Sequence, residues 1–187
     1  LKTPGRRVTN DRHDRAPSGE GSAMPFDWVP IRSLSERHRP RILKHLLALS
    51  EEDRHLRFGY AASDAQLAHY ADLIDFSRDD AFGIFSRRLE LIAMAHLAQL
   101  PPSAGEGRVT QAEFGVSVLP RVRGRGFGSR LFESAVLHAR NRHIDTLIIH
   151  ALSENTPMMR IVRKAGATIE RDGGESEARL RLPPDDL

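Results

Sequence analysis

Residues 121–128 read Arg-Val-Arg-Gly-Arg-Gly-Phe-Gly, with Gly124, Gly126 and Gly128 at alternate positions among Arg121, Arg123 and Arg125. Glycines spaced in this way let a backbone come close to a ligand. A helix that starts at such a loop aims unpaired N–H groups and a partial positive charge at the same point. Arginine adds fixed charge suited to bidentate phosphate contacts. The chemistry implied is the binding of a diphosphate. A P-loop is excluded, because GxxxxGK(S/T) requires a lysine and this run has none. The Rossmann pattern GxGxxG is excluded by spacing, since the third glycine here is one residue too early. RNA-binding segments rich in Arg and Gly are repeated and disordered, whereas this run occurs once and leads into a patterned helix.

Elements on either side must position that loop. Ahead of it, residues 111–119 alternate: Phe114, Val116 and Val118 on one face, Glu113, Gly115 and Ser117 on the other, the period of a strand. After it, Phe127, Leu131, Ala135 and Ala139 form an i+4 row flanked by Phe132 and Val136, which predicts an amphipathic helix over 126–141. Residues 146–152 are apolar on both faces, as in a central buried strand. Thr156 followed by Pro157 reads as an N-cap and first helical residue. Met158, Ile161, Val162 and Ala165 then give a helical face, with Gly166 at its C′ end. Two last strands flank Asp172-Gly173-Gly174.

Upstream, Phe26, Trp28, Val29 and Ile31 predict a first short strand. A helix is expected over 35–49, with Pro40 kinking it or marking its start. Ser50 with Asp53, and Ser63 with Gln66, have the spacing of helix-opening capping boxes. Residues 81–86 and 89–97 predict an antiparallel hairpin. Residues 1–25, rich in Gly, Pro, Ser and charge, hold too little apolar surface to offset ordering entropy and read as a tail outside the fold. Residues 26–187 would form one domain.

Composition narrows the function classes. The 187 residues contain no cysteine, which excludes a disulfide framework, a Cys-based zinc site and a cysteine nucleophile. No HExxH motif or carboxylate–histidine cluster is evident, so no metal is expected. His96 and His150 fall within strand-like runs and read as packed or hydrogen-bonded histidines. No apolar run approaches the length of a membrane span, and no secretory h-region follows the N-terminal arginines. A cytoplasmic protein is the expectation. Net charge is only +3, and just Lys2, Lys44 and Lys164 are lysines, so the basic side is nearly all arginine.

Arg121-x-x-Gly124-x-Gly126 resembles the Gln/Arg-x-x-Gly-x-Gly/Ala signature of the GNAT superfamily of acyl-CoA-dependent N-acyltransferases. Residues 155–166, opening at Asn155 and ending at Gly166, are similar to the family's following helix. The likeness spans about residues 27–183. Within the superfamily, LSEEDRHLRF (49–58) and AEFGVSVLPRVRGRGFG (112–128) look most like bacterial protein-lysine acetyltransferase domains. The resemblance implies an α/β (α+β) fold: a mixed, mostly antiparallel sheet flanked by helices and splayed between its fourth and fifth strands, with acetyl-CoA in the cleft. It implies that the backbone at Val118 and Leu119 binds the pantetheine arm. The diphosphate would be held by Arg121 and by residues Arg123, Gly124, Arg125, Gly126, Phe127, Gly128 and Ser129. Asn155 would reach the cofactor from the other side.

Acetyl transfer to an amine then needs a proton acceptor, because a lysine amine with a pKa of about 10.4 is charged at neutral pH. Glu113, at the start of the strand leading into the loop, is the candidate base. With no cysteine, transfer would be direct. Many family members use a tyrosine on the last helix as general acid. Here Val162 aligns with it, and Tyr60 and Tyr70 lie far upstream, so the acid is unassigned. That departure leaves open a non-catalytic acyl-CoA sensor as the alternative to an N-acetyltransferase. Nucleic-acid binding through the arginine tail is a third and weaker reading. The acceptor, whether protein lysine or small amine, is not encoded in a motif, and neither is the oligomeric state, for which a dimer is compatible.

Overall fold

The computed structural model describes residues 29–101 and 109–183. The expected tail, together with Phe26 and Trp28 of the expected first strand, lies outside these. Described strands are β1 (Ile31–Ser33), β2 (Asp80–Phe85), β3 (Leu91–Gln99), β4 (Gln111–Val118), β5 (Thr146–Leu152), β6 (Thr168–Asp172) and β7 (Glu175–Arg181). The helices are α1 (Arg39–Leu47), α2 (Glu51–Phe58), α3 (Asp64–Leu73), α4 (Phe127–Asn141) and α5 (Thr156–Lys164).

One sheet runs in the order β1-β2-β3-β4-β5-β7-β6. All neighbours are antiparallel except β4 and β5. That parallel pair is joined over three residues only, Gln111–Thr146, Ala112–Leu147 and Glu113–Ile148. Beyond Glu113 the two strands separate, while β4 stays paired with β3 out to Val118. The sheet is therefore splayed at the place expected.

Local chemistry accounts for most element boundaries. Pro40 falls in the first turn of α1, where its missing N–H costs nothing, so it starts the helix rather than kinking it. The Ser50 hydroxyl accepts from the Asp53 amide, and Ser63 and Gln66 form a reciprocal capping box. Leu89 adopts φ 58° in the β2–β3 turn and is exposed, so β3 begins two residues later than the apolar pattern predicts. Asn155, not Thr156, caps α5: its Oδ1 accepts from the Met158 amide at 3.2 Å. Gly166 takes φ 82° at the C-terminal end of α5, as its type requires.

The core forms on both faces of the sheet. Phe127, Leu131, Phe132, Ala135 and Ala139 of α4 are buried. Phe132 meets Phe114 edge-on at 5.2 Å between ring centroids. On the other face α1 inserts His45, 2% exposed, whose Nδ1–H donates to the Leu91 carbonyl at 2.9 Å and whose Nε2 accepts from Ser117 Oγ at 2.8 Å. Ser117, on the nominally polar face of β4, is buried for that reason. Among the described residues, no helix is long and apolar enough to cross a membrane.

Candidate active site

Two adjoining cavities lie along β4 at the splay. The first, of about 490 Å3, runs from Val116 and Val118 past Gly124, Gly126, Gly128 and Ser129 to Asn155 and Ile161. Its floor is the N-terminus of α4. Gly126 caps that helix in the left-handed region, with φ 78°, and no side chain caps it. The first turn of α4 contains no acidic residue. The end of a 15-residue helix thus presents unsatisfied N–H groups to the cavity. A Cβ at Gly124 or Gly126 would meet nothing within 4 Å, so the glycines are required by backbone angle and leave the space above them clear.

Beyond Glu113 the edge of β4 facing this cavity has no strand partner among the described residues. The Leu119 amide donates to the Ile92 carbonyl at 2.9 Å, on the β3 side. By alternation, the backbone groups of Val116 and Val118 face the open side of the splay. Arg123 closes one end, donating from Nε to the Val118 carbonyl at 3.2 Å and pairing with Asp53 of α2. Asp53 is 7% exposed, and its Oδ2 has no hydrogen-bond partner among the described residues. A strand edge and a helix N-terminus lie along one groove. They fit an extended amide-containing chain that ends in a diphosphate.

Not every expected ligand faces this groove. Leu119 is 1% exposed in the core, so only its backbone can serve the cleft rim. Arg121 turns away and pairs with Glu90. Arg125 is exposed between the two left-handed glycines and is not among the side chains lining the cleft. Asn155 does line it, but Oδ1 is engaged as a cap, which leaves the amide nitrogen to offer. Val162 is fully buried; the α5 side chains facing the cleft include Met158, Arg160 and Ile161.

The second cavity, of about 590 Å3, is lined by Glu113 and Gly115 of β4, His96 and Ala98 of β3, Arg57 and Phe58 of α2, Tyr70 of α3, and carboxylates of β6 and β7. The register explains the recess: His96 lies opposite Gly115 and Ala98 opposite Glu113, so two of four neighbouring positions carry little or no side chain. Arg57 enters over Gly115 and lies against the rings of Phe58 and Tyr70, 4.8 and 5.7 Å from their centroids. Leu56 and Arg57 line both cavities.

A hydrogen-bonded chain runs along the second cavity. Arg57 Nη2 donates to Tyr70 Oη at 3.1 Å. Tyr70 Oη lies 2.7 Å from His96 Nδ1, and His96 Nε2 lies 2.9 Å from Asp79 Oδ2. Burial holds the His96 pKa below its usual value despite the Asp79 carboxylate, and burial raises that of Tyr70. Sequence reasoning missed Arg57, Tyr70 and Asp79; it read His96 as a packed or hydrogen-bonded histidine, and that residue is both buried and hydrogen-bonded. Nothing in local spacing joins four residues drawn from α2, α3, a turn and β3.

The sequence profile of the acetyltransferase (GNAT) domain matches residues 29–168. The chain belongs to this family. Its fold is similar to that of the GNAT domain of S. lividans PAT, with a TM-score of 0.68, 23% identity, and coverage of 81% of this chain and 89% of that one. It is also similar to yncA of Salmonella typhimurium, a putative acetyltransferase solved with acetyl-CoA (TM-score 0.62, 13% identity, 84% and 96% covered). A third is a phosphinothricin acetyltransferase of Sinorhizobium meliloti, in complex with acetyl-CoA (TM-score 0.63, 14% identity, 82% and 88% covered). The mixed, mostly antiparallel sheet expected from the GNAT signature is the fold observed.

Proposed function

We propose that this GNAT domain moves an acetyl group from acetyl-CoA to a primary amine by direct attack, with Glu113 as general base. One observation supports the reading: a groove floored by the N-terminus of α4 and a carboxylate-rich recess adjoin along β4 where the sheet divides, with Leu56 and Arg57 lining both. In the groove, the amides of residues 123–129 would hold the diphosphate, as the helix terminus favours. The backbone at Val116 and Val118 would pair with the amides of the pantetheine arm in the manner of an added strand. Asn155 would approach from α5. Bound acetyl-CoA supplies the thioester.

The recess suits a cation. Glu113, Glu170, Asp172, Glu175 and Glu177 line it against Arg57 and Arg171. A protonated amine is attracted there and must then lose a proton before it can attack. Glu113 is half-buried at the last paired position of the β4–β5 ladder and lines the recess. A carboxylate at that point can take the proton directly or through water. Protein lysines and small cationic amines both meet these requirements.

Calorimetry with acetyl-CoA, followed by a thiol-release screen over lysine peptides, polyamines and aminoglycosides, tests the reading. Binding together with turnover of at least one amine supports it. Binding with no thiol release from any amine favours an acyl-CoA sensor instead. Glu113→Gln should lower kcat/KM by about 100-fold, most at low pH, with acetyl-CoA affinity nearly unchanged. Wild-type rates from that variant at every pH would remove Glu113 from the mechanism.

A further inference from the structure

We infer that Tyr70, backed by His96 and Asp79, is a second proton acceptor of the transfer, taking the proton that leaves the acceptor nitrogen as the C–N bond forms. This rests on the acetyl-transfer reading above. The proton count calls for two acceptors. An ammonium group has three N–H protons and the amide product has one, so two must leave. Glu113 removes the first and frees the lone pair. Attack on the thioester carbon makes the nitrogen cationic, and the second proton leaves from there.

The hydrogen-bond directions suit Tyr70 to receive it. The Asp79 carboxylate can only accept, so His96 Nε2–H donates to it at 2.9 Å. Neutral His96 then has its lone pair on Nδ1, and Tyr70 O–H donates to that atom at 2.7 Å. Arg57 occupies one lone pair of the phenol oxygen. The other is left for a further donor, and Tyr70 lines the recess. As the nitrogen gives a proton to Tyr70 Oη, the tyrosine's own proton passes to His96 Nδ1, and Tyr70 ends neutral as it began. The imidazolium is stabilised by Asp79, which is itself fixed by the Arg78 Nε and Gln99 amide donors to its Oδ1. The electron pair of the broken C–S bond leaves on sulfur. One proton finally joins that sulfur, and the other reaches solvent when Glu113 and His96 reset.

Location distinguishes this role from protonation of the thiolate. Tyr70 lines the recess with Glu113 and is not among the residues lining the groove. The groups facing His96 are Tyr70 from α3, Arg57 from α2, Asp79 ahead of β2 and Glu113 from β4. Burial outweighs the carboxylates, so His96 is neutral and able to accept at neutral pH. Once acid protonates Nδ1, that atom becomes a donor to Tyr70 and the relay stops.

The test compares wild type, Tyr70→Phe, His96→Gln and the double variant, using the amine from the screen that gives the fastest thiol release. Tyr70→Phe preserves the ring packing. It should lower kcat by tenfold or more, leave acetyl-CoA affinity unchanged and abolish the acidic limb of the profile assigned to His96. His96→Gln should show a comparable loss, and the double variant little more than either single one. Nitrogen-15 NMR of the His96 ring should show the Nε2–H tautomer at pH 7. Wild-type kcat and pH profile in Tyr70→Phe, or an Nδ1–H tautomer, would overturn the inference and leave the acetyl-transfer reading standing. A wild-type protein that releases thiol to no amine would defeat both.

Discussion

A Cβ added to Gly115 would lie 2.0 Å from Arg57 Nη2, so the missing side chain on β4 is what admits that guanidinium. Arg57 in turn donates to Tyr70 and lines both cavities. A position that reads as a weak point in a strand is therefore a seat for a cation at the boundary between the two cavities.

Gly115→Ala is expected to affect function more than stability. The obstructed atoms are the far end of a flexible side chain, which can move aside. Displacing Arg57 breaks its bond to Tyr70 and changes the field in the recess. We expect kcat/KM for the amine to fall by about tenfold, a cost near 1.4 kcal/mol, with Tm altered by no more than a few degrees. Steady-state kinetics and thermal unfolding on the same preparation check this. A large drop in Tm with unchanged kcat/KM would contradict the assignment.

Arg123→Ala removes the partner of a buried carboxylate. Asp53 would be left 7% exposed with neither oxygen paired by a cation. Arg123 itself is half-exposed, so the loss should be about 1–2 kcal/mol, below that for a fully buried pair. Acetyl-CoA affinity should also fall. Adding Asp53→Asn should recover most of the stability and little of the affinity. Urea unfolding and calorimetry measure the two separately.

Gly126→Ala tests the helix terminus. The residue sits at φ 78°, and a Cβ there meets nothing within 4 Å, so the cost in the free protein is the left-handed backbone alone, about 1–2 kcal/mol. Acetyl-CoA affinity should fall by tenfold or more, because the added methyl and the strained turn both disturb the anion cradle. Calorimetric titration decides it: unchanged affinity would place the diphosphate elsewhere.

His45 makes stability depend on pH. Burial lowers its pKa from 6.5 to about 4 in the folded chain. The unfolded chain therefore binds a proton over that interval that the folded chain refuses, and stability rises with pH between the two values. The contribution amounts to about 3 kcal/mol, present in full above pH 6.5 and lost on acidification toward pH 4. His96 acts in the same sense. Denaturant unfolding at several pH values should show the slope, and His45→Gln should flatten it while lowering stability at pH 7.

The fold was legible because its signals are local. The i+4 row from Phe127 to Ala139, the caps at Ser50 and Ser63 and the alternation in β4 each need only a few consecutive residues. The glycine-rich turn ahead of α4 was legible for the same reason, as one loop and one helix start supply it. Errors fell where tertiary packing decides. Thr156 and Asn155 are both good caps, and chain geometry selected Asn155. Ser117 is buried because α1 brings His45 to it, 72 residues away in sequence. The Asp79–His96–Tyr70–Arg57 chain was invisible, since the strand register and two helix dockings assemble it.

On the acetyl-transfer reading, the division of the sheet beyond Glu113 would give each reactant its own doorway. Neither would have to depart before the other could arrive, so both could be held together while the bond is exchanged. A molecule made by fusing the donor and the acceptor would have to thread the gap between β4 and β5, and the width of that gap, rather than the affinity of either half, would set how such an inhibitor could be joined.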